Sequence, residues 1–417
     1  MSTQPPKKNE KIHGILKSPW LVVVFSSVMA LLSVVLTSPG IPKPALMWLI
    51  QNLARHEKIH CYDLGYTFLS SFFYRWAGMD GLFCEQAFNY VLIGVVSYLI
   101  LRKILGHGSY GPALGACLVL IYPETWLNVH RVVETNLVIL LSLAFLYFLL
   151  PPVQSGWALA QAVMIGFISA YMILSRPNLI LVLPLLLVPM SKSIKNTLAA
   201  AAMGLGVLTI VPGLASGIFY PTPQEGKITF FHGANPHSKE SLLKYYNAEP
   251  LAFSKDNLEE MKMDPSIVPQ DSGMDVPSEL FNQKVTRFSI HWIKTHPFEY
   301  LELIPIKFWT IVRPDFRYAN NCTGWKYLVI ALAQIAMALI FPFWLVCKWV
   351  FRDGFYGSIG AAPFSILYLI PFLLTNADPR YRIPLDALFL LETVVFAFRF
   401  LNDRVPAGAG KKIQEEK

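Results

Sequence analysis

Asn376-Ala-Asp-Pro-Arg-Tyr-Arg-Ile-Pro-Leu-Asp386 lies between two runs apolar enough to cross a bilayer, Gly357–Leu374 and Pro384–Phe400. Two arginines and an aspartate at the mouth of a membrane helix are costly to place. They are therefore expected to serve something negatively charged at the membrane–water boundary. The simpler role for a lone arginine there is to anchor the helix end to lipid headgroups.

Working outward, the whole chain is apolar. Of its 417 residues 54% are hydrophobic and only 15% are charged, a balance that excludes an ordinary soluble domain and implies a polytopic all-α membrane protein. The formal net charge of +8 does not point to nucleic acid, because the basic residues lie in short clusters beside apolar runs. There they orient helices and meet anionic lipid. Cys61, Cys84, Cys117, Cys322 and Cys347 have no metal-ligand spacing. Cys61 and Cys322 would pair only if both faced an oxidising side, and unpaired thiols are the other reading.

A spanning helix needs about 20 mostly apolar residues. Ten segments are expected to cross: Trp20–Leu36, Glu85–Leu101, Tyr110–Tyr122, Asn136–Leu150, Trp157–Leu174, Leu179–Met190, Thr197–Phe219, Tyr327–Val350, and the two flanking the opening motif. The first lacks a small-x-small cleavage site and is expected to stay as an anchor. Lys7, Lys8, Lys11 and Lys17 hold the N-terminal tail in the cytoplasm, and alternation then puts Arg102 and Lys103, Lys192 and Lys195, and Lys348 and Arg352 inside as well. The same alternation exposes four stretches on the outer side besides the motif: Thr37–Cys84, Pro123–Thr135, Ser175–Asn178 and Tyr220–Lys326. The chain thus divides into an N-terminal membrane module, 1–219, an extracytoplasmic segment, 220–326, and a C-terminal membrane module, 327–417. Within the outer segment Ser238-Lys-Glu-Ser and Pro277-Ser-Glu-Leu open helices, the second running toward His296, while Met263–Val276 reads as a loop. Its histidines, His232, His237, His291 and His296, suit no metal site by spacing, and Asn321-Cys-Thr323 fits an N-glycosylation pattern.

Asp-x-Arg-Tyr-Arg-x-Pro before a leucine-rich helix resembles the last motif of the polyprenyl-phosphate-sugar glycosyltransferases, the integral-membrane GT-C class related to the protein O-mannosyltransferases. Four other stretches are similar to that class in order and spacing: Leu64-Gly-Tyr66 with Arg75-Trp-Ala-Gly78, Ile121-Tyr-Pro123 with Val133-Glu-Thr135, Leu174-Ser-Arg-Pro-Asn178, and His296-Pro297 through Lys307. The resemblance implies a GT-C-like helical core of about ten transmembrane helices with an outer-facing helical loop region. It implies transfer of a sugar from a polyprenyl phosphate, the co-substrate, to a glycan, lipid or protein acceptor. No cofactor is required with certainty, and a divalent metal is an option. The expected partners are the lipid-linked donor, the acceptor and membrane lipids. The expected place is the bacterial inner membrane, with the site facing the periplasm or exterior.

The chemistry of the residues agrees with that reading. Moving a sugar off a lipid phosphate needs donors that hold the phosphate and stabilise the charge left as the sugar departs. Arg176, Arg380, Arg382 and Lys307 are the candidates, arginine being suited by its planar fork and permanent charge. A carboxylate must also take the proton of the acceptor or hold a metal that does so. In the family an acid in the first outer loop has this role, but here Lys43 or Pro44 occupies the corresponding place. Asp63 and Glu134 are the catalytic candidates, ahead of Glu57 and Glu124, and Tyr66, Asp378 and Tyr381 complete the expected cavity. The departure at Lys43 keeps a second class open: a non-catalytic relative or a carrier of lipid-linked sugars.

Overall fold

The computed structural model describes residues 18–36, 44–56, 64–106, 109–131, 133–150, 157–186, 193–216, 230–245, 251–262, 279–314, 316, 324–350 and 361–404. No strand occurs among them, and their regular structure is all helical. In order the helices are α1 (Pro19–Leu36), α2 (Pro44–Ala54), α3 (Leu64–Leu105), α4 (Gly111–Ile121), α5 (Pro123–Leu127), α6 (Thr135–Leu149), α7 (Ala158–Ser175) and α8 (Ile194–Ser216). Then follow α9 (Ser238–Tyr245), α10 (Lys255–Glu260), α11 (Glu279–Thr295), α12 (Pro297–Val312), α13 (Trp325–Val350), α14 (Ala361–Leu374) and α15 (Ile383–Arg404). Short 3₁₀ helices cover Asn128–His130, Pro177–Leu186 and Pro379–Arg382.

Four helices among the described residues are long and apolar enough to cross a membrane: Leu64–Leu105, Ala158–Ser175, Ile194–Ala215 and Ala331–Val350. Apolar side chains such as Trp20, Leu31, Ile194, Leu205, Leu332 and Trp349 point outward from the bundle. Such faces are unfavourable in water and suited to lipid, so the chain is a membrane-associated protein. The expected ten crossings are corrected here. Pro19–Ser33, Gly111–Ile121, Thr135–Leu149 and Ala361–Leu374 are apolar but short. Leu179–Met190, expected as a crossing, instead begins as the ten-residue 3₁₀ helix Pro177–Leu186 with Pro184 inside it. At about 2.0 Å per residue that helix reaches roughly 20 Å, less than the ~30 Å hydrocarbon core.

The first outer stretch also differs from an open loop. It holds α2 and the first arm of α3, which bends at Ala77–Gly78 before entering the bundle. Gly78 has φ 60°, a left-handed conformation that glycine adopts without strain. Both helices expected in the outer segment form, as α9 and α11, and Met263–Val276 falls outside the described residues. This segment has its own small core, in which Phe231, Phe281, Val285 and Leu258 are buried together.

Between helices in lipid the driving force is close packing rather than the expulsion of water. On α7, Ala162, Gly166 and Ala170 recur every fourth residue, and α8 answers with Ala200 and Gly204. A Cβ on Gly166 would strike the Ala200 carbonyl, so the small residues set the approach of the two helices. This packing fixes the position of the C-terminal end of α7, where Arg176 emerges.

Candidate functional site

Arg176 leaves α7 because Pro177 follows it. The residue before a proline is pushed out of the helical region, and Arg176 is extended at φ −147°, ψ 99°. Its side chain therefore turns off the helix face into the space between α6, α14 and the Pro379–Arg382 turn. Nη2 donates to Oε1 of Glu134 at 2.7 Å, and Nη1 donates to the Tyr368 hydroxyl at 3.2 Å. The guanidinium also lies 5.6 Å from the centre of the Tyr381 ring, a cation–π contact. Tyr381 is itself stacked on Phe372, with ring centroids 4.0 Å apart.

Glu134 occupies the N-cap of α6, yet its side chain caps no backbone N–H. It faces Arg176 instead. Burial pushes its carboxyl upward, but the charges of Arg176 and then Arg380 outweigh this and hold it below the ordinary carboxylate value. One carboxylate therefore lies in the field of two arginines that are 204 residues apart in the chain (380 − 176).

The opening motif folds as a cap and a strap. Asp378 is fully buried, and its Oδ1 accepts from the backbone N–H of Arg380 at 2.9 Å and from Arg380 Nε at 3.1 Å. The Arg380 side chain remains 38% exposed. Arg382 is held quite differently. Its Nε donates to Oδ2 of Asp386 at 2.8 Å, and its Nη1 donates to the carbonyls of Ile311, Val312 and Arg313. Those carbonyls close α12, so Arg382 acts as a cap on a helix that precedes it by about seventy residues. Tyr122 adds a second donor to Asp386 Oδ2 at 2.7 Å.

Lys307 sits on the inner face of α12, fully buried, with no hydrogen-bond partner for Nζ among the described residues. The ammonium lies 5.1 Å from the centre of the Tyr300 ring, and burial pushes it down to about 7. Tyr300 in turn donates to the Leu374 carbonyl at 2.7 Å, which ties α12 to the approach of the opening motif.

Tyr66 is fully buried on the other wall. Gln86 donates to its hydroxyl at 3.0 Å and to the Val133 carbonyl at 3.0 Å, joining Leu64-Gly-Tyr66 to the residue before Glu134. Its neighbour Gly65 passes so close to α7 that an added Cβ would lie 2.8 Å from the Ser175 backbone N. The stretches around Tyr66, Glu134, Arg176 and Tyr381 thus meet in one region. Asp63, Glu57, Lys43, Cys61, Cys322 and Asn321–Thr323 lie outside the described residues, as does the Glu124 side chain.

Three buried residues are not anticipated by the sequence reading. Tyr368 sits inside an apolar run and had no motif to mark it. Asp386 closes the opening stretch, and its spacing of four from Arg382 is the sequence signal of their pairing. Glu85 is fully buried as well, although it is a lone carboxylate at the head of an apolar run. Among the described residues no three His, Cys, Asp or Glu side chains gather as a metal site. Compared with protein-family models and with curated proteins, the chain matches none.

Proposed function

We propose that this protein is a membrane glycosyltransferase with a GT-C-like helical architecture, moving a sugar from a polyprenyl-phosphate donor to a glycan, lipid or protein acceptor. The site would face the periplasm or exterior of a bacterial inner membrane. The observation that carries this reading is the meeting of Glu134, Arg176 and Arg380, with Tyr381 beneath the Arg176 guanidinium.

A donor phosphate entering this region competes with Glu134 for Arg176. Phosphate offers the guanidinium two oxygens in the geometry its fork prefers, and Arg380 adds positive charge. Glu134 is then released to accept the proton of the acceptor hydroxyl. The acceptor oxygen forms its bond to the sugar carbon from the face opposite the phosphate, and the carbon–oxygen bond to the phosphate breaks. Its electron pair stays on the departing polyprenyl phosphate, where the arginines stabilise it. Asp63 is the alternative proton acceptor.

Transfer of radiolabelled sugar from a polyprenyl-phosphate donor, measured with the purified chain in proteoliposomes, tests this reading. Wild type is expected to turn over, with E134Q or D63N strongly impaired and R176A weakened in donor binding. The direct pairing of Glu134 with Arg176 favours one rival, a carrier that keeps the phosphate site without a base. Donor binding that survives in both carboxylate variants, with no transfer by wild type, would establish the carrier.

A further inference from the structure

Glu85 heads the second arm of α3, just past the bend at Gly78, and its side chain is fully buried. The first arm folds back so that the Ser70 hydroxyl donates to Oε2 at 2.7 Å, while Oε1 has no hydrogen-bond partner among the described residues and the Asn89 amide lies within reach of the carboxyl. No Lys, Arg or His forms an ion pair with it among the described residues.

Among the described residues, the elements packed against this point bring no counter-charge, and on α3 itself Arg75 is exposed and bonded to the Ala54 carbonyl and His56 while Arg102 and Lys103 lie in the last turn. Helices α1, α2, α4 and α6 contain no Asp, Glu, Lys or Arg. The only charged residue of α8 is Lys195, in its first turn. From α7 comes the Tyr171 hydroxyl, within electrostatic reach of Glu85 and bonded to the Gly65 carbonyl at 2.7 Å. From its own helix comes Tyr66, which lies beside Ser70 and within electrostatic reach of both Glu85 and Glu134. Glu134 is already neutralised by Arg176, and the Asp386 carboxylate of α15 by Arg382.

An isolated carboxylate charge in an apolar interior is far more costly than the same group carrying a proton. Among the described residues no side chain supplies that positive charge, so neutrality at Glu85 falls to a small positive ligand. The hydroxyls next in line, Ser70 and Tyr66, can each give one hydrogen bond and accept another. Gln86 holds Tyr66 against Val133, one residue from Glu134.

We propose that Glu85 is an internal proton-binding site, its carboxyl carrying the proton that neutralises it, with Ser70 and Tyr66 linking that proton to the Glu134 turn. The ligand is the proton itself. The assignment stands whether or not the protein transfers sugar, and its test does not measure transfer.

Infrared difference spectroscopy on the full chain in lipid, wild type minus E85Q in deuterated water, reads the carbonyl stretch of a protonated carboxyl group. A positive band lost in E85Q is expected. S70A, which keeps Glu85 but removes its hydrogen bond, is expected to move that band to higher frequency. A wild-type spectrum without the band, or a band that E85Q leaves in place, overturns the proposal, because Glu85 is then ionised and held by a metal cation or by a group elsewhere. Should E85Q fail to fold, S70A decides alone: a shifted band supports the assignment to Glu85 and an unmoved one overturns it.

Discussion

Arg176–Glu134 and Arg382–Asp386 are the same chemical pair in two settings. Their shortest contacts are almost equal, 2.7 and 2.8 Å, but the first pair is 9% and 23% exposed and the second 3% and 0%. Arg382 also spends its remaining fork on the end of α12, and Tyr122 reaches the same oxygen of Asp386. Distance alone therefore does not separate a structural arginine from one able to meet a ligand. What separates them is where the other donors go and whether the carboxylate has somewhere else to turn. The Glu134 side chain keeps 23% of its surface exposed and can be rehydrated, whereas that of Asp386 is fully buried.

The largest expected effect breaks the buried pair. R382A leaves Asp386 without its counter-charge, held only by the Tyr122 hydroxyl, and strips the cap from α12; losing one partner of a buried pair costs about 3–5 kcal/mol. Thermal unfolding in detergent should show a large fall in the midpoint; an unchanged midpoint would erase the distinction between the two pairs. R176A is the contrasting change. It should leave folding much less affected and lower sugar transfer by roughly 10²–10³-fold, the size of losing one preorganised donor to developing charge. If R176A unfolds as readily as R382A while transfer by the surviving protein is normal, the two arginines have the same role.

Lys307 sharpens the contrast from the side of pH. Burial lowers it to about 7, so between that value and its unfolded value near 10.4 the unfolded chain binds more protons than the folded one. Stability attributable to Lys307 therefore rises with pH across that window. K307M should be more stable than wild type at neutral pH, with the difference closing as pH approaches 10 in a series of melts. A difference that stays constant with pH would mean that Lys307 is paired with an anion in the folded state.

A smaller effect concerns how the strap is held. An added Cβ at Gly233 would run into the Thr375 carbonyl, immediately before the opening motif. G233A should cost about 1–3 kcal/mol, as overpacking does, and should move the Asp378 cap more than it moves Arg176. Comparing melting and donor binding in this variant tells whether the Asp378 turn or the Arg176 side shifted. Y122F is the smallest change: it removes one of two donors to Asp386 and should cost about 1 kcal/mol. An effect as large as that of R382A would show that the tyrosine hydrogen bond, and not the arginine charge alone, holds Asp386 in place.

Much of this could be read from the sequence because the relevant physics is local. Apolar runs long enough for helices, Pro177 releasing Arg176 from α7, and the Asp378 cap two residues before Arg380 all depend on neighbours within a turn or two. The bend at Gly78 was not legible, and neither was the 3₁₀ winding of Pro177–Leu186, since both satisfy an apolar composition that a straight helix would satisfy equally well. Glu85 passed as the edge of a segment because its burial is created by the first arm of α3 folding back upon the second.

Hydropathy and charge order along the chain were enough to determine a helical, membrane-associated protein with cations placed at helix ends. The tertiary structure alone decided which acid each cation meets. Tyr122 and Asp386 are 264 residues apart, and Arg382 reaches carbonyls about seventy residues away. Ion pairing depends on which helix ends pack together, and close packing between apolar surfaces leaves almost no sequence signature of its partner.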